Sequence, residues 1–372
     1  MIFLSLIADN WLLFAVALLV SLSIAALVVL TQKYHGHLTM DSSNGVQKFH
    51  VHPTPRIGGL GIYLGLLAAW LLAKDDALSQ ILKTIVLAGI PAFAFGILED
   101  LTKEVGVIPR LIATMTSGLI ACLMTGLALT RLDIPWVDEA FKFLPIALLF
   151  TSFAIGGVAN AINIIDGFHG LASGAAITIL LALAAIAFEV GDTPLVLAAL
   201  LVAAVVAGFW LLNYPWGKIF LGDGGAYFTG FAMAWLAVLL LVRNPQVSPW
   251  VCLLVFAYPV IEVLYSVVRR TMQNQSPGAP DGLHLHSLVK TQVIRKHFSH
   301  WSPNLQNAAV SPAIWVCVAV PATMGVLLYS ASPMALCLMI AAFSALYHIS
   351  YMVLVRRTQA AVPTADNVVQ QG

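Results

Sequence analysis

The sequence predicts an all-α fold, a polytopic membrane helix bundle with about 11 transmembrane helices. Of the 372 residues, 60% are hydrophobic and only 9% are charged, whereas ordinary soluble domains carry about 25% charged residues. The mean hydropathy is +0.91. Long apolar stretches recur along the chain, and Lys and Arg gather in alternate connecting loops. These features together place the chain in a lipid bilayer.

The predicted spans follow from length, because a helix needs roughly 20 apolar residues to cross about 30 Å of hydrocarbon. Stretches of this kind occupy residues 11–30, 57–73, 81–98, 111–129, 144–158, 171–188, 195–212, 226–242, 250–268, 313–329 and 334–355. The stretch 144–158 is the shortest. No Lys or Arg precedes the first stretch and no clear cleavage site follows it, so we expect a retained helix rather than a signal peptide.

The orientation follows from the basic residues. When successive loops are assigned alternately to two sides, one side holds Lys33, Lys48, Arg56, Lys103, Arg110, Lys218, Arg269, Arg270, Lys290, Arg295, Lys296, Arg356 and Arg357. The other side holds only Lys74, Lys83, Arg131, Lys142 and Arg243. Since short loops rich in Lys and Arg stay cytoplasmic, we predict the N-terminus outside and the C-terminus in the cytoplasm. The same assignment puts every His except His348 on the cytoplasmic side.

One domain is predicted over residues 1–357, because the longest cytoplasmic segments are too short for a core of their own. We expect residues 358–372 to form a disordered cytoplasmic tail. The net charge of +1 argues against a nucleic-acid partner, since such proteins need a concentrated basic surface. The four Cys lack CxxC spacing, which indicates neither a zinc site nor a disulfide framework.

The first cytoplasmic loop is basic and stiffened by proline. Its segment KFHVHPTPR contains Lys48, His52 and Arg56. We predict that these residues contact a phosphate, and anchoring beside anionic lipid headgroups is the alternative. The following Gly61 and Gly65 predict close helix packing rather than a phosphate loop.

An acidic pair, Glu99 and Asp100, directly follows the third predicted span. Two acids at a helix C-terminus oppose the helix dipole unless a cation compensates them. A solvated loop is one interpretation of the pair. A divalent metal or a protonation role is the other.

The segment NAINIIDGFHGLASG carries Asn160, Asn163, Asp166 and His169 between two apolar stretches. Polar groups in an apolar neighbourhood are costly unless they are paired, so this island indicates a functional site. Structural capping is the alternative.

The segment FLGDGGA places Asp223 among glycines at the start of a span. Glycines let a ligand approach the backbone closely, and free amides at a helix N-terminus attract anions. One carboxylate there suits Mg2+, which takes one or two carboxylates together with phosphate oxygens and water. A turn with a capping Asp is the alternative.

The last long cytoplasmic loop follows Arg269 and Arg270 and contains His284 and His286. Two His without a third ligand make a weak metal site, so we predict phosphate contacts for this basic loop. Glu262, within the ninth span, is expected to pair with Arg269 or Arg270 or to serve in helix packing.

The cytoplasmic face thus combines carboxylates, a glycine-rich segment and basic residues, a set that suits metal-assisted phosphoryl transfer. The ordered motifs PTPRIGG, an acidic pair, NAINIIDGFHGLASG, FLGDGGA and HLH resemble the polyprenyl-phosphate N-acetylhexosamine-1-phosphate transferase family over nearly the whole chain. The resemblance implies transfer of a sugar 1-phosphate from a UDP-N-acetylhexosamine to undecaprenyl phosphate, with release of UMP. It implies Mg2+ as cofactor, with Mn2+ as a substitute, and a site on the cytoplasmic face of the bacterial inner membrane. A homodimer is a further expectation.

The residue patterns and the resemblance together assign the candidate site. The catalytic candidates are Asp100, Glu99 and Asp166, and the metal candidate is Asp223. The substrate-binding candidates are Lys48, His52, Arg56, Asn160, Asn163, His284, His286, Arg269 and Arg270. Three positions depart from the family pattern, since Glu99 replaces a usual Asp, His169 replaces Asp or Asn, and Ser287 replaces a third His.

The resulting hypothesis is that Mg2+ on Asp223 clamps the UDP-sugar diphosphate while Asp100 positions or deprotonates the lipid phosphate. An oxygen of the lipid phosphate then attacks the phosphorus nearer the sugar. A double displacement through a carboxylate nucleophile is the competing route. The predicted pathway is O-antigen or related cell-surface polysaccharide synthesis. The alternatives are the phospho-N-acetylmuramoyl-pentapeptide transferase of peptidoglycan synthesis and a membrane transporter, although no internal repeat typical of transporters is visible.

Overall fold

A computed structural model of the protein describes residues 2–41, 53–276 and 281–359. In this part of the chain the helices are α1 (Ile2–Asp9), α2 (Trp11–Thr39), α3 (Gly59–Leu72), α4 (Asp76–Ala88), α5 (Ile90–Thr102), α6 (Val107–Thr125), α7 (Pro135–Phe141), α8 (Leu144–Ile164), α9 (Leu171–Glu189), α10 (Thr193–Asn213), α11 (Gly222–Arg243), α12 (Pro249–Val255), α13 (Ala257–Met272), α14 (Leu285–Val289), α15 (Arg295–His297), α16 (Pro303–Leu327) and α17 (Pro333–Gln359). A π-helical turn, Lys290–Ile294, joins α14 to α15. Strands β1 (Met40–Asp41) and β2 (Thr54–Pro55) form a short antiparallel pair.

The all-α membrane fold is confirmed. Eight of the described helices are long and apolar enough to cross a membrane, namely α2, α6, α8, α9, α10, α11, α16 and α17. Two more candidate spans are bent pairs, α4 with α5 at 41° and α12 with α13 at 79°. Helix α3 is apolar but has only 14 residues. Each predicted stretch therefore corresponds to a helix or a bent pair, while the number of true crossings and their orientation stay predictions.

Two predicted boundaries move. Helix α8 covers 21 residues, so the stretch predicted to be shortest is a full-length span that continues through Asn160 and Asn163. Helix α17 continues to Gln359, two residues into the predicted tail, and residues 360–372 lie outside the described residues.

Helix α11 is the central element of the bundle. Its apolar window is 89% buried, whereas the windows of α2 and α17 are 22% and 17% buried and therefore lie at the periphery. Helices α3, α5, α8 and α10 pack around α11. The charged and polar residues of the predicted site are carried at the ends of these helices.

Glycines permit this close packing. A Cβ atom on Gly96 of α5 would lie 2.5 Å from the Cα of Gly224 in α11, and a Cβ on Gly59 of α3 would collide with the backbone of Gly225. Backbone atoms cannot yield as a flexible side chain can, so small residues are required at these crossings. The prediction for the α3 glycines is confirmed too, since a Cβ on Gly61 would meet the Ser21 carbonyl of α2 at 2.7 Å.

Candidate functional site

Asp100 caps the N-terminus of α11. Its Oδ1 accepts a hydrogen bond from the amide of Asp223 and its Oδ2 accepts one from the amide of Gly224, both at 2.9 Å. The Asp100 side chain is fully buried. The expectation that these amides bind a ligand anion is therefore wrong, because a carboxylate of the chain already occupies them and the neighbouring glycines serve helix packing.

Arg56 pairs with Asp100 at the end of α5 and with Asp223 at the start of α11. Its Nε donates to Asp100 Oδ1 at 3.0 Å, and its Nη2 donates to Asp223 Oδ1 at 3.3 Å. The backbone amide of Arg56 donates to the Thr39 carbonyl at 2.9 Å, and the Arg56 carbonyl lies against Gly222. Arg56 therefore ties the first cytoplasmic loop to two carboxylates. The predicted partners Lys48 and His52 lie outside the described residues.

Asp223 receives donors on both oxygens. Asn163 Nδ2 donates to Oδ1 at 3.1 Å beside Arg56, and Arg110 forms a close ion pair with Oδ2. The Arg110 guanidinium also lies 4.0 Å from Glu99 Oε1. We predicted no site role for Arg110 and used its charge only to infer the orientation of the helices in the membrane. The available signal was its position seven residues after Lys103, on the helix that follows the acidic pair.

Asp166 lies in the short connection after α8 and has no hydrogen-bond donor to its carboxylate among the described residues. Burial and the neighbouring charge of Asp223 raise the pKa of Asp166 to about 7, while Arg56 opposes the rise. A carboxylate that lacks a donor and lies within the field of a second carboxylate is one that could help to hold a divalent cation. The described residues contain no group of three or more His, Cys, Asp or Glu placed to hold a metal, so substrate oxygens and water would have to complete the shell.

The two predicted asparagines have different roles. Asn163 connects Asp223 to Tyr227, whose hydroxyl donates to Asn163 Oδ1 at 3.3 Å. Asn160 instead donates to Thr114 Oγ1 at 3.1 Å and to the Gly156 carbonyl at 2.8 Å. Its amide joins α8 to α6, so the structure gives Asn160 a helix-packing contact where we predicted substrate binding.

The histidine loop is held by an acid from inside the bundle. Glu262 of α13 is buried, and its Oε1 accepts from His284 Nδ1 at 3.0 Å and from the Leu285 amide at 3.1 Å. The expected pairing of Glu262 with Arg269 or Arg270 is therefore wrong. Arg269 lies two helical turns, about 10 Å, along α13 from Glu262 and pairs with Asp281, while the loop that folds back over Glu262 takes its carboxylate.

Arg269 and Arg270 both turn to Asp281. Arg269 forms a close ion pair with Asp281 and also donates to the Tyr351 hydroxyl of α17 at 2.6 Å, while Arg270 Nε lies 3.5 Å from Asp281. Burial alone would raise the pKa of Asp281, but a hydrogen bond from Ser266 and the nearby cations hold it below its usual value. The predicted phosphate ligands are thus paired within the chain, because a buried Asp281 needs a cation.

His286 connects the histidine loop to the Asp166 loop. Its ring stacks on His284 with centroids 5.1 Å apart, and its Nε2 would lie 3.3 Å from a Cβ on Gly167. Burial lowers the pKa of His286 to about 4, so the imidazole is neutral at pH 7. The structure therefore brings together the two loops that the sequence separates by more than a hundred residues.

His169 has a packing role. Its Nδ1 lies 3.2 Å from the Pro215 carbonyl, and its ring packs against Gly217 and Phe220. We assigned this residue no metal, and its contacts hold the loop that precedes Asp223.

The part of the chain that carries this cluster is similar to known proteins. The sequence model of Glycosyl transferase family 4 matches residues 82–241, which include the acidic pair, Asp166 and Asp223. The region that carries these carboxylates is similar to glycosyl transferase family 4. The predicted family is thus confirmed, although the histidine loop lies beyond the matched residues.

Several curated bacterial proteins are similar to this chain. It is 30% identical over 241 residues to a probable undecaprenyl-phosphate N-acetylglucosaminyl 1-phosphate transferase of Bacillus subtilis, over 64% of this chain and 66% of that protein. It is 30% identical over 273 residues to a decaprenyl-phosphate N-acetylglucosaminephosphotransferase of Mycolicibacterium smegmatis, over 64% and 65%. It is 25% identical over 248 residues to an undecaprenyl-phosphate alpha-N-acetylglucosaminyl 1-phosphate transferase of Yersinia pestis, over 65% and 67%. The match spans just under two thirds of the length of the first two relatives.

Proposed function

We propose that this protein transfers N-acetylglucosamine 1-phosphate from UDP-N-acetylglucosamine to a polyprenyl phosphate, with undecaprenyl phosphate as the expected acceptor, and releases UMP. The observation that carries the proposal is the cluster of Asp100, Asp166, Asp223, Arg56 and Arg110 where α5, α8 and α11 converge. An acidic and arginine-rich cluster at the end of a membrane bundle suits a reaction between two phosphates. The names of the three relatives favour N-acetylglucosamine over the muramoyl-pentapeptide substrate.

The charge of the cluster supports a divalent cation. Four carboxylates, those of Glu99, Asp100, Asp166 and Asp223, face two guanidinium groups in the described residues. Asp166 and Asp223 are the residues that would hold Mg2+. When bound, the ion would neutralise the diphosphate and polarise its oxygens.

The contacts of Asp100 argue for a positioning role. Both of its oxygens accept amide hydrogen bonds, and Oδ1 also accepts a hydrogen bond from Arg56. This side chain orients Asp223 and would have to break three contacts to attack phosphorus or to remove a proton. We therefore keep the direct displacement that the sequence suggested and propose that Asp100 positions Asp223 instead of acting on the lipid phosphate.

In direct displacement an oxygen of the lipid phosphate forms a bond to the phosphorus nearer the sugar. The bond from that phosphorus to the oxygen shared with the uridine side breaks, and UMP leaves with the electron pair. A lipid phosphate that enters as the dianion needs no base, so charge and protons balance without Asp100. Arg56 and Arg110 are placed to stabilise the developing charge.

An apolar cavity of about 240 Å3 supports a lipid acceptor. Its lining includes Phe150 and Val158 of α8, Ala237 of α11 and Phe256 at the α12–α13 bend. Ala237 lies about 20 Å along α11 from Asp223 at 1.5 Å per residue. An isoprenoid chain extending from a phosphate at the cluster would reach this cavity. The membrane face, the bacterial inner membrane location and the O-antigen pathway remain predictions.

The test uses purified protein in detergent with labelled UDP-N-acetylglucosamine, undecaprenyl phosphate and Mg2+. We expect label to enter the lipid fraction, and we expect Asp223→Asn to lower the rate by about 100-fold or more. The control Asp76→Asn changes an exposed acid at the start of α4 and should keep wild-type activity. Sugar uptake into vesicles without a lipid product would show that the protein is a transporter. Preference for UDP-N-acetylmuramoyl-pentapeptide would contradict the assignment of N-acetylglucosamine as the transferred sugar. Release of UMP without the lipid acceptor would favour double displacement.

A further inference from the structure

Two arginines occupy the carboxylate that is proposed to hold the cation. Asp223 Oδ2 pairs with Arg110, and Oδ1 accepts from Arg56 and Asn163. Three donors fill three of the roughly four lone-pair sites of the Asp223 carboxylate, and the remaining site, on Oδ2, lies beside the Arg110 guanidinium. The positive charge of that guanidinium repels a metal ion at the same oxygen, so cation binding and the Arg110 ion pair oppose each other.

The two arginines are attached very differently. Arg56 is held by its backbone amide at Thr39 and by its Nε at Asp100. Arg110 lies in the first turn of α6, and among the described residues its side chain contacts only the carboxylates of Asp223 and Glu99 and the Gly106 carbonyl at the N-cap of its helix. The two side chains are about equally exposed, 17% for Arg110 and 19% for Arg56, so the difference between them lies in their attachment. Arg110 is thus the donor that a cation can displace at the lower cost.

We propose that Arg110 is an exchangeable counter-ion, which neutralises Asp223 in the metal-free protein and transfers to a substrate phosphate when a divalent cation takes its place. This inference rests on the proposed function only through the assignment of the cation to Asp223. A guanidinium binds phosphate as readily as carboxylate, often through two hydrogen bonds. The exchange leaves no buried charge unpaired at any stage, because each ion replaces another of the same sign.

The exchange predicts opposite effects on two ligands. Removal of Arg110 removes the competitor for Asp223, so the metal alone should bind more tightly. The same removal deletes a phosphate ligand, so a nucleotide should bind more weakly. A residue that merely holds the fold would weaken both, and a residue outside the site would change neither.

The first measurement is Mn2+ binding without nucleotide, followed by electron paramagnetic resonance of the free ion with purified protein in detergent. We expect Arg110→Gln to bind Mn2+ about tenfold more tightly than wild type, which corresponds to about 1.4 kcal/mol. Lys218→Gln is the matched control, since it removes an exposed positive charge five residues before Asp223 that pairs with no carboxylate in the described residues. Its Mn2+ affinity should stay within about twofold of wild type. Equal tightening in both variants would mean that net charge acts, and would overturn the exchange.

The second measurement is UDP binding in the presence of saturating Mn2+. We expect Arg110→Gln to bind UDP about tenfold more weakly although it holds the metal more tightly. Arg110→Lys keeps the positive charge but loses the planar fork, so its Mn2+ affinity should remain near that of wild type while UDP binding weakens. An Arg110→Gln variant with unchanged or weaker Mn2+ binding, or with tighter UDP binding, overturns the inference.

A further variant separates this inference from the proposed function. Asp223→Asn should lose Mn2+ binding. If Asp223→Asn binds Mn2+ as tightly as wild type, Asp223 does not hold the cation and the proposed metal site is wrong. Lost affinity there together with an unchanged Arg110→Gln would keep the assignment and reject only the exchange.

Discussion

At the scale of single residues, Asp166 differs from its neighbours in how its charge is balanced. Asp100 accepts from two amides and Arg56, and Asp223 accepts from two arginines and Asn163. The carboxylate of Asp166 has no donor among the described residues, and its pKa is raised to about 7 by burial and by Asp223. Its ionised form is therefore the least stabilised charge of the cluster when no cation is present.

We predict that Asp166→Asn stabilises the metal-free protein at high pH. Between about pH 4 and pH 7 the folded protein keeps a proton on Asp166 that the unfolded chain has lost, so wild-type stability falls as pH rises through this window. Above pH 7 the full cost of the buried charge remains. Asn carries no such charge, so the variant should melt a few degrees above wild type at pH 8 and close to it at pH 5.

The measurement is thermal unfolding in detergent with a chelator at both pH values. At pH 8, Mg2+ should reduce the difference in melting temperature between the variant and the wild type, because the ion stabilises only the wild type. Asp76→Asn, an exposed acid, should follow the wild-type pH dependence. Parallel pH curves for Asp166→Asn and wild type would contradict the prediction.

At the scale of helices, the glycines of α3, α5 and α11 determine where the carboxylates lie. The motif around Asp223 resembles a phosphate-binding loop in composition, yet Gly224 and Gly225 lie against Gly96 and Gly59 of neighbouring helices. The α5–α11 crossing brings Asp100 within reach of the first amides of α11. The contact between Gly96 and Gly224 therefore positions both Asp100, which caps α11, and the Asp223 carboxylate beside it.

We predict that Gly96→Ala lowers both stability and activity. The added methyl would lie 2.5 Å from the Cα of Gly224 and 2.6 Å from the carbonyl carbon of Asp223, so α5 and α11 must separate. Overpacking of this kind costs about 1–3 kcal/mol. Gly157→Ala in α8 is the matched control, because no atom lies within 4 Å of its added Cβ.

Melting temperature and the lipid-labelling rate report the two effects. Gly157→Ala should keep both values near wild type. Wild-type activity in Gly96→Ala would show that the helix contact does not position the carboxylates.

At the scale of the whole molecule, the membrane orientation is still a prediction from loop charges. The acidic and arginine cluster, the histidine loop and most of the basic residues share one end of the bundle. The opposite end carries smaller ion pairs, such as Arg243 with Asp192. If the basic end is cytoplasmic, a soluble nucleotide sugar reaches the cluster directly.

We predict that Lys296→Cys is inaccessible and Lys142→Cys accessible to an impermeant maleimide in intact bacterial cells. Both lysines are exposed, and they lie on opposite ends of the bundle in the predicted topology. Permeabilised cells should label both variants. The unmodified protein controls for the four native cysteines, of which Cys122 and Cys252 are buried. The reverse labelling pattern would invert the topology.

The sequence predicted the residues of the site better than their contacts. Asp100, Asp166, Asn163 and Asp223 were recognisable because polar groups interrupt apolar stretches, and they do converge. The partners of Arg269, Arg270 and Asn160 within the chain were not predicted, since short-range patterns show that a residue is charged or polar but not which distant partner it meets. Arg110 was missed for the same reason.

The sequence by itself determined the membrane bundle, the family and the set of reactive residue types, because hydropathy, loop charge and motif order are local properties of the chain. Only the tertiary structure decided which charges pair. A buried carboxylate takes whichever donor the fold brings near, so Asp100 caps a helix, Asp281 pairs with both arginines of α13 and Glu262 pairs with His284. These choices depend on helix crossings set by glycines far apart in the chain, and they leave Asp166 without a donor among the described residues and Arg110 paired with Asp223.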